Sequence, residues 1–158
     1  MTFVNLENEQ DFKNEDELAA FLASKWKCQM ERQKKYSAFD FVALKGTHIK
    51  AFVELRCRSN PHDKYPDCYI SATKLLHAYT MKSALDVNSL FVVSWTDKIG
   101  YVSLNTPFPV EWSKANWKRR NPNDVEMIGR IPTESFIFYD KSSPEASAWF
   151  KEQRTQEG

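Results

Sequence analysis

An α/β domain with a mixed central β-sheet flanked by helices is the fold class this chain predicts, and three observations predict it. Helix-like and strand-like segments alternate in the order α-β-β-α-β-β. The strand-like segments are rich in aromatic and β-branched residues, as in Ala38-Phe39-Asp40-Phe41 and Val53-Glu54-Leu55. One of them, Ser89-Leu90-Phe91-Val92-Val93-Ser94-Trp95, is apolar almost throughout, as in a strand covered on both faces. At 158 residues the chain is read as a single domain, 1–158, large enough to bury a core without disulfide staples.

The elements follow in order. Residues 1–13 read as a lead-in strand or irregular arm. Asn14 is placed to cap a helix from about Glu15 to Arg32, with Glu15, Asp16 and Glu17 at the positive end of its dipole. Leu18, Phe21, Leu22 and Met30 supply its apolar stripe, and Trp26 extends it. A hairpin spans roughly 37–58, turning at Gly46-Thr47-His48 so that Lys45 faces Ile49. Two prolines and polar composition make residues 59–67 a loop. Ser71 suits the N-cap of a second helix from about Ala72 to Leu85. Strands are expected over Ser89–Trp95 and Ile99–Leu104, joined at Thr96-Asp97-Lys98. Residues 105–124 are basic and carry Trp112 and Trp117. Ile128–Ile131 and Ser135–Tyr139 read as one or two last strands, and Glu145–Gln153 as a short terminal helix.

Composition narrows the function. With a formal net charge of +1 the surface is not a general coat for polyanions, so contact with nucleic acid has to come from local basic patches. Glycine is scarce, at four residues, and neither the P-loop nor the dinucleotide fingerprint is present. Cys28, Cys57 and Cys68 are odd in number and lack C-x-x-C spacing, which excludes a disulfide framework and a zinc knuckle. No signal-peptide pattern and no membrane-length apolar run occurs, so the expectation is a cytoplasmic, reduced protein without a membrane partner.

The chemistry gathers on the hairpin. In the expected register Asp40 stands opposite Glu54, on the face shared by Val42 and Phe52. Like charges placed so, with Cβ atoms about 4.5–5.5 Å apart, repel. A hard divalent cation such as Mg²⁺, which needs only one or two protein carboxylates, resolves the conflict. Alternation along the second strand puts Arg56 and Arg58 on the face of Glu54, and Cys57 on the opposite face as a core residue. A phosphodiester there would meet a metal held by carboxylates and guanidinium groups able to stabilise charge. Simple salt bridging of Glu54 with Arg56 or Arg58 on an exposed sheet is the alternative reading. His48, His62 and His77 are scattered without metal-ligand spacing.

With Asp40 and Glu54-Leu55-Arg56 on consecutive strands after an acidic helix, the layout resembles the PD-(D/E)XK nuclease superfamily. The stretch from Lys64 to Lys74 and the later Phe91–Asp97 resemble compact nuclease-like domains of phage and bacterial origin. The resemblance implies a restriction-endonuclease-like fold with an αβββαβ-type core and hydrolysis of DNA phosphodiester bonds. It implies Mg²⁺ or Mn²⁺ held by Asp40 and Glu54 with Glu17 from the first helix, DNA as partner, and dimers as in many such nucleases. Arg56 stands where the family pattern has Lys. Arginine orients a phosphate but cannot act as a base. Lys74, early in the second helix against the dipole preference, is the local substitute. Lys34, Lys35, Arg58, Trp117, Lys118, Arg119 and Arg120 are the candidate nucleic-acid contacts, as phosphate-binding cations and a base-stacking ring. Arg56 also leaves open a nuclease-fold domain without catalysis that binds nucleic acid or a protein partner.

Overall fold

The computed structural model describes residues 9–34, 37–105, 111–116 and 125–141. Helix α1 (Glu9–Trp26) leads into strands β1 (Gln29–Arg32), β2 (Phe41–Lys45), β3 (His48–Cys57) and β4 (Asp67–Ser71). Helix α2 (Ala72–Leu85) follows, then β5 (Asn88–Ser94), β6 (Lys98–Ser103), β7 (Glu111–Asn116), β8 (Val125–Pro132) and β9 (Ile137–Asp140). Six strands form one sheet in the order β1-β2-β3-β5-β6-β9. Its β3–β5 pair is parallel and its other pairs are antiparallel, so the sheet is mixed. A second sheet of three strands, β4-β8-β7, was not expected from the sequence.

Two apolar clusters lie on opposite faces of the large sheet, because β3 is buried on both. Leu18, Phe21 and Leu22 of α1 pack on Phe41, Val53 and Leu55. On the other face Ala78 of α2, with Cys68 and Ile70 of β4 and Ile131 of β8, covers Phe91 and Val93. Each such fully buried aliphatic or aromatic side chain contributes about 1.5–3 kcal/mol. Glu54 is the buried charged residue of this central strand, 3% exposed, and it lies on the α2 side with Phe52.

Several elements differ from expectation. The first helix ends at Trp26, where Lys27 takes a left-handed φ of 52° and Cys28 N–H bonds Ala23 O at 3.0 Å. The rest of the expected helix is strand β1, and Asn14 lies inside α1 rather than capping it. Arg32 reaches back to Glu15 and Asp16 at 2.9 and 2.8 Å, which fixes β1 against the helix. The hairpin turns on two residues, Gly46 and Thr47, with Lys45 opposite His48. Gly46 has a φ of 60°, which glycine adopts without steric cost. An irregularity between Ala43 and Leu44 absorbs the offset, so Phe41 still pairs with Val53. Cys57 is exposed rather than core, because it ends β3 beyond the apolar cluster. Helix α2 starts where expected: Ser71 Oγ accepts the Lys74 amide at 3.2 Å. The expected helix Glu145–Gln153 lies outside the described residues. No helix among the described residues is long and apolar enough to cross a membrane.

Candidate active site

The Phe41–Val53 pairing sets the site. One residue further out, the same register brings Asp40, just before β2, beside Glu54 of β3. Asp40 Oδ2 accepts the Leu55 amide at 3.1 Å, which turns its carboxylate toward the neighbouring strand. Glu54 Oε2 is wholly buried and accepts no well-directed hydrogen bond. Its counter-charge is the Lys74 ammonium, 2.7 Å away. Lys74 also donates to the Ala38 carbonyl and lies 5.5 Å from the Phe39 ring centre. Burial, and then the hydrogen bonding and charge of Asp40, push the Glu54 carboxyl up to about 8, against the opposing pull of Lys74.

This donor set suits a hard divalent cation. Two carboxylates stand side by side, and a cation relieves the repulsion that helps to raise Glu54. An exposed ion network built on Glu54 does not fit, since that residue is buried and paired with Lys74. Arg56, two residues along the same face, is exposed to solvent. Arg58 is half-buried, with its guanidinium 5.3 Å from the Tyr69 ring centre.

Other sequence candidates lie elsewhere. Glu17 is half-buried on α1, on the opposite face of the sheet from α2, and acts electrostatically on Lys141. Burial lowers the Lys141 ammonium below its usual value, while Cys57, Asp97 and Glu17 oppose that shift, and its Nζ donates to Trp95 O at 2.9 Å. Lys34 is exposed just after β1. Lys35, Trp117, Lys118, Arg119 and Arg120 lie outside the described residues.

Two features carried no sequence signal. His62 and Asp97, 35 residues apart, are joined twice: the His62 amide at 2.9 Å and its Nδ1 at 2.6 Å from the carboxylate. Burial raises the Asp97 carboxyl, but the hydrogen bonds and charge of His62, with a backbone hydrogen bond of its own, together outweigh it and hold the group below its usual value. With Asp63 these residues bring three potential metal-ligand atoms within 4.8 Å of one another. Beside them a cleft of about 600 Å³ opens between the end of β3 and the small sheet. Arg130, which lines it, pairs in register with Tyr69 across β8 and β4. Such cross-sheet meetings are set by topology and leave no local periodicity to read.

An Asp just before one strand and a Glu on the next, an adjacent helix-borne Lys and a mixed sheet with helices on both faces define a restriction-endonuclease-like protein. Residues 3–138 match the family model described as "Phage putative PDDEXK endonuclease", and the chain belongs to that family. No curated protein matches the chain. Among solved structures it is similar to Hjc from Archaeoglobus fulgidus, a Holliday junction resolvase from an archaeal hyperthermophile. The two are 14% identical with a TM-score of 0.50, over 78% of this chain and 87% of the resolvase. That likeness supports the restriction-endonuclease-like fold.

Proposed function

We propose that the protein is a metal-dependent endonuclease hydrolysing DNA phosphodiester bonds at the Asp40–Glu54–Lys74 cluster. The observation that carries the reading is the Asp40–Glu54 pair, a half-buried carboxylate beside a buried one, which raises Glu54. Such a pair is costly to keep unless the site uses it. Asp40 and Glu54 would hold Mg²⁺ or Mn²⁺, which supplies Lewis-acid activation of water and neutralises phosphate charge. The Leu55 amide orients Asp40, and the Ala38 carbonyl and Glu54 together fix the Lys74 ammonium. That ammonium would offer positive charge to the negative charge that builds on the phosphorane-like oxygens. Arg56, exposed on the same face, is free to meet the scissile phosphate from the solvent side. Neither its guanidinium nor a carboxylate-bound ammonium has to act as a base.

Arg56 also favours a second reading, a nuclease-fold domain that binds DNA without cutting it. The two separate in one assay: supercoiled, linear and branched DNA with Mg²⁺, Mn²⁺ or EDTA, beside the Glu54→Ala protein. Metal-dependent cutting that disappears in the variant supports the enzyme. Binding without cutting in any metal supports the silent domain.

A further inference from the structure

The cleft between the end of β3 and the small sheet has a composition that a duplex backbone does not require. Arg58, at the end of β3, and Arg130, on β8, both line it. Tyr69, 37% exposed, is in register with Arg130 and has the Arg58 guanidinium 5.3 Å from its ring centre, and Tyr65, 56% exposed, also lines the cleft. Trp95 forms the floor, packed edge-on against Phe136 with ring centres 5.4 Å apart. His62 lines one side with its Nδ1 committed to Asp97, so Nε2 is the ring nitrogen left for a ligand. Asp67 lies 3.9 Å from Arg130 and offers an acceptor at the same wall.

Guanidinium groups alone suffice to grip phosphates on a paired strand. Aromatic faces in a concave site add affinity where a base has left its stack, because every base presents a π-face to a ring. The volume falls within the range of sites for one small molecule, about 300–1,000 Å³. Strand β3 links the cleft to the candidate active site, since Arg58 follows directly on its last residue. Glu54, Arg56 and Arg58 follow one another at two-residue steps, so Arg58 lies roughly 13 Å along the strand from Glu54. Arg56 and Arg58 both act on the Cys68 thiol at the cleft wall.

We propose that this cleft holds one unpaired nucleotide of the substrate strand, its phosphate between Arg58 and Arg130 and its base against Tyr69. The substrate class is then DNA carrying an unpaired nucleotide close to the bond that is cut. The inference rests on the nuclease reading for its polymer, but its test does not need cleavage. The full chain in EDTA is titrated with a fully paired duplex and with the same duplex carrying one unpaired 2-aminopurine.

The expected result is binding of the second DNA at least about tenfold more tightly, with 2-aminopurine emission quenched by stacking. Tyr69→Ala is expected to lower the ratio of the two affinities about tenfold, and Tyr69→Phe to restore it. Equal affinity of the wild-type protein for both DNAs overturns the proposal, even if cleavage is intact. Retained preference without cleavage in any metal leaves the cleft standing and removes the nuclease reading. A 2-aminopurine mononucleotide that saturates the site while the two DNAs bind equally identifies a free-nucleotide site and overturns the substrate-strand assignment.

Discussion

Lys74 and Glu54, from the first turn of α2 and the centre of β3, meet at 2.7 Å in a largely buried contact. A cation in the first turn of a helix opposes the helix dipole. Its position is stabilised instead by Glu54 and by the Ala38 carbonyl, two residues before Asp40. One ammonium thus ties α2 to both carboxylate-bearing segments, which makes it the group that completes the cluster.

Removing that ammonium should abolish most activity. Lys74→Ala is expected to lower the single-turnover cleavage rate about 10²–10³-fold in saturating Mg²⁺, the usual cost of deleting a preorganised group at a developing charge. Lys74→Arg should retain part of the rate, since no proton has to leave the side chain. Wild-type rates in Lys74→Ala would move the role to Arg56.

The metal-free protein should lose stability as pH rises. Glu54 is raised to about 8 in the fold by burial first and then by Asp40, against an ordinary value of 4.5. A raised carboxyl means the folded state holds a proton that the unfolded chain has released. Its contribution is therefore complete below about pH 4.5 and is lost on approach to pH 8. Within that window the slope approaches 1.4 kcal/mol per pH unit. Urea unfolding in EDTA at pH 5, 6, 7 and 8 measures it, and Glu54→Gln should flatten the profile. A wild-type profile already flat over this range would show that Glu54 is not held protonated.

How far the sequence led differs from one element to the next. The carboxylate pair was legible because strand alternation has a period of two, and a turn error that leaves the Phe41–Val53 register intact does not move Asp40 from Glu54. Lys74 was legible because it contradicts the dipole preference. Strand β1 was not, because Gln29-Met30-Glu31-Arg32 continues a helical pattern that only the backbone turn at Lys27 interrupts. Strand β4 was hidden by Pro66 before it and Asp67 at its start, which read as loop, although Cys68 and Ile70 are buried. The Arg58–Arg130 cleft depends on a sheet whose strands β4 and β8 are far apart in sequence, and no local pattern encodes that meeting.

A divalent cation bound to Asp40 and Glu54 stabilises the fold by mass action. At a concentration one hundred times its dissociation constant it should add about 2.7 kcal/mol. Thermal unfolding at pH 8 should therefore shift upward with Mg²⁺ or Mn²⁺ and return with EDTA. The shift should be larger at pH 8 than at pH 6, since the ion competes with the proton on Glu54. Asp40→Asn keeps an acceptor for the Leu55 amide but removes the charge, and should remove the shift while the metal-free midpoint at pH 8 stays at or above wild type, since Asp40 is one of the groups that raise Glu54. An unaltered shift in this variant would place the ion elsewhere, with the His62–Asp63–Asp97 group the next site to test.

Gly100 in β6 sets how closely the aromatic floor of the cleft packs. A Cβ added there would lie 2.9 Å from Trp95 Cζ3, 3.1 Å from Phe138 Cε1 and 3.2 Å from Phe136 Cβ. These neighbours are two rings and a side-chain root, none a flexible end that can swing aside, so Gly100→Ala forces Trp95 or the 136–138 segment to move. Overpacking of this kind costs about 1–3 kcal/mol. For a chain of this length each kcal/mol lowers the melting temperature by about 2–4 °C. Because Trp95 is both the struck ring and the floor of the cleft, the same substitution should lower the preference for a duplex with an unpaired 2-aminopurine. A variant with wild-type melting temperature and wild-type preference would show that the Trp95 ring yields without cost.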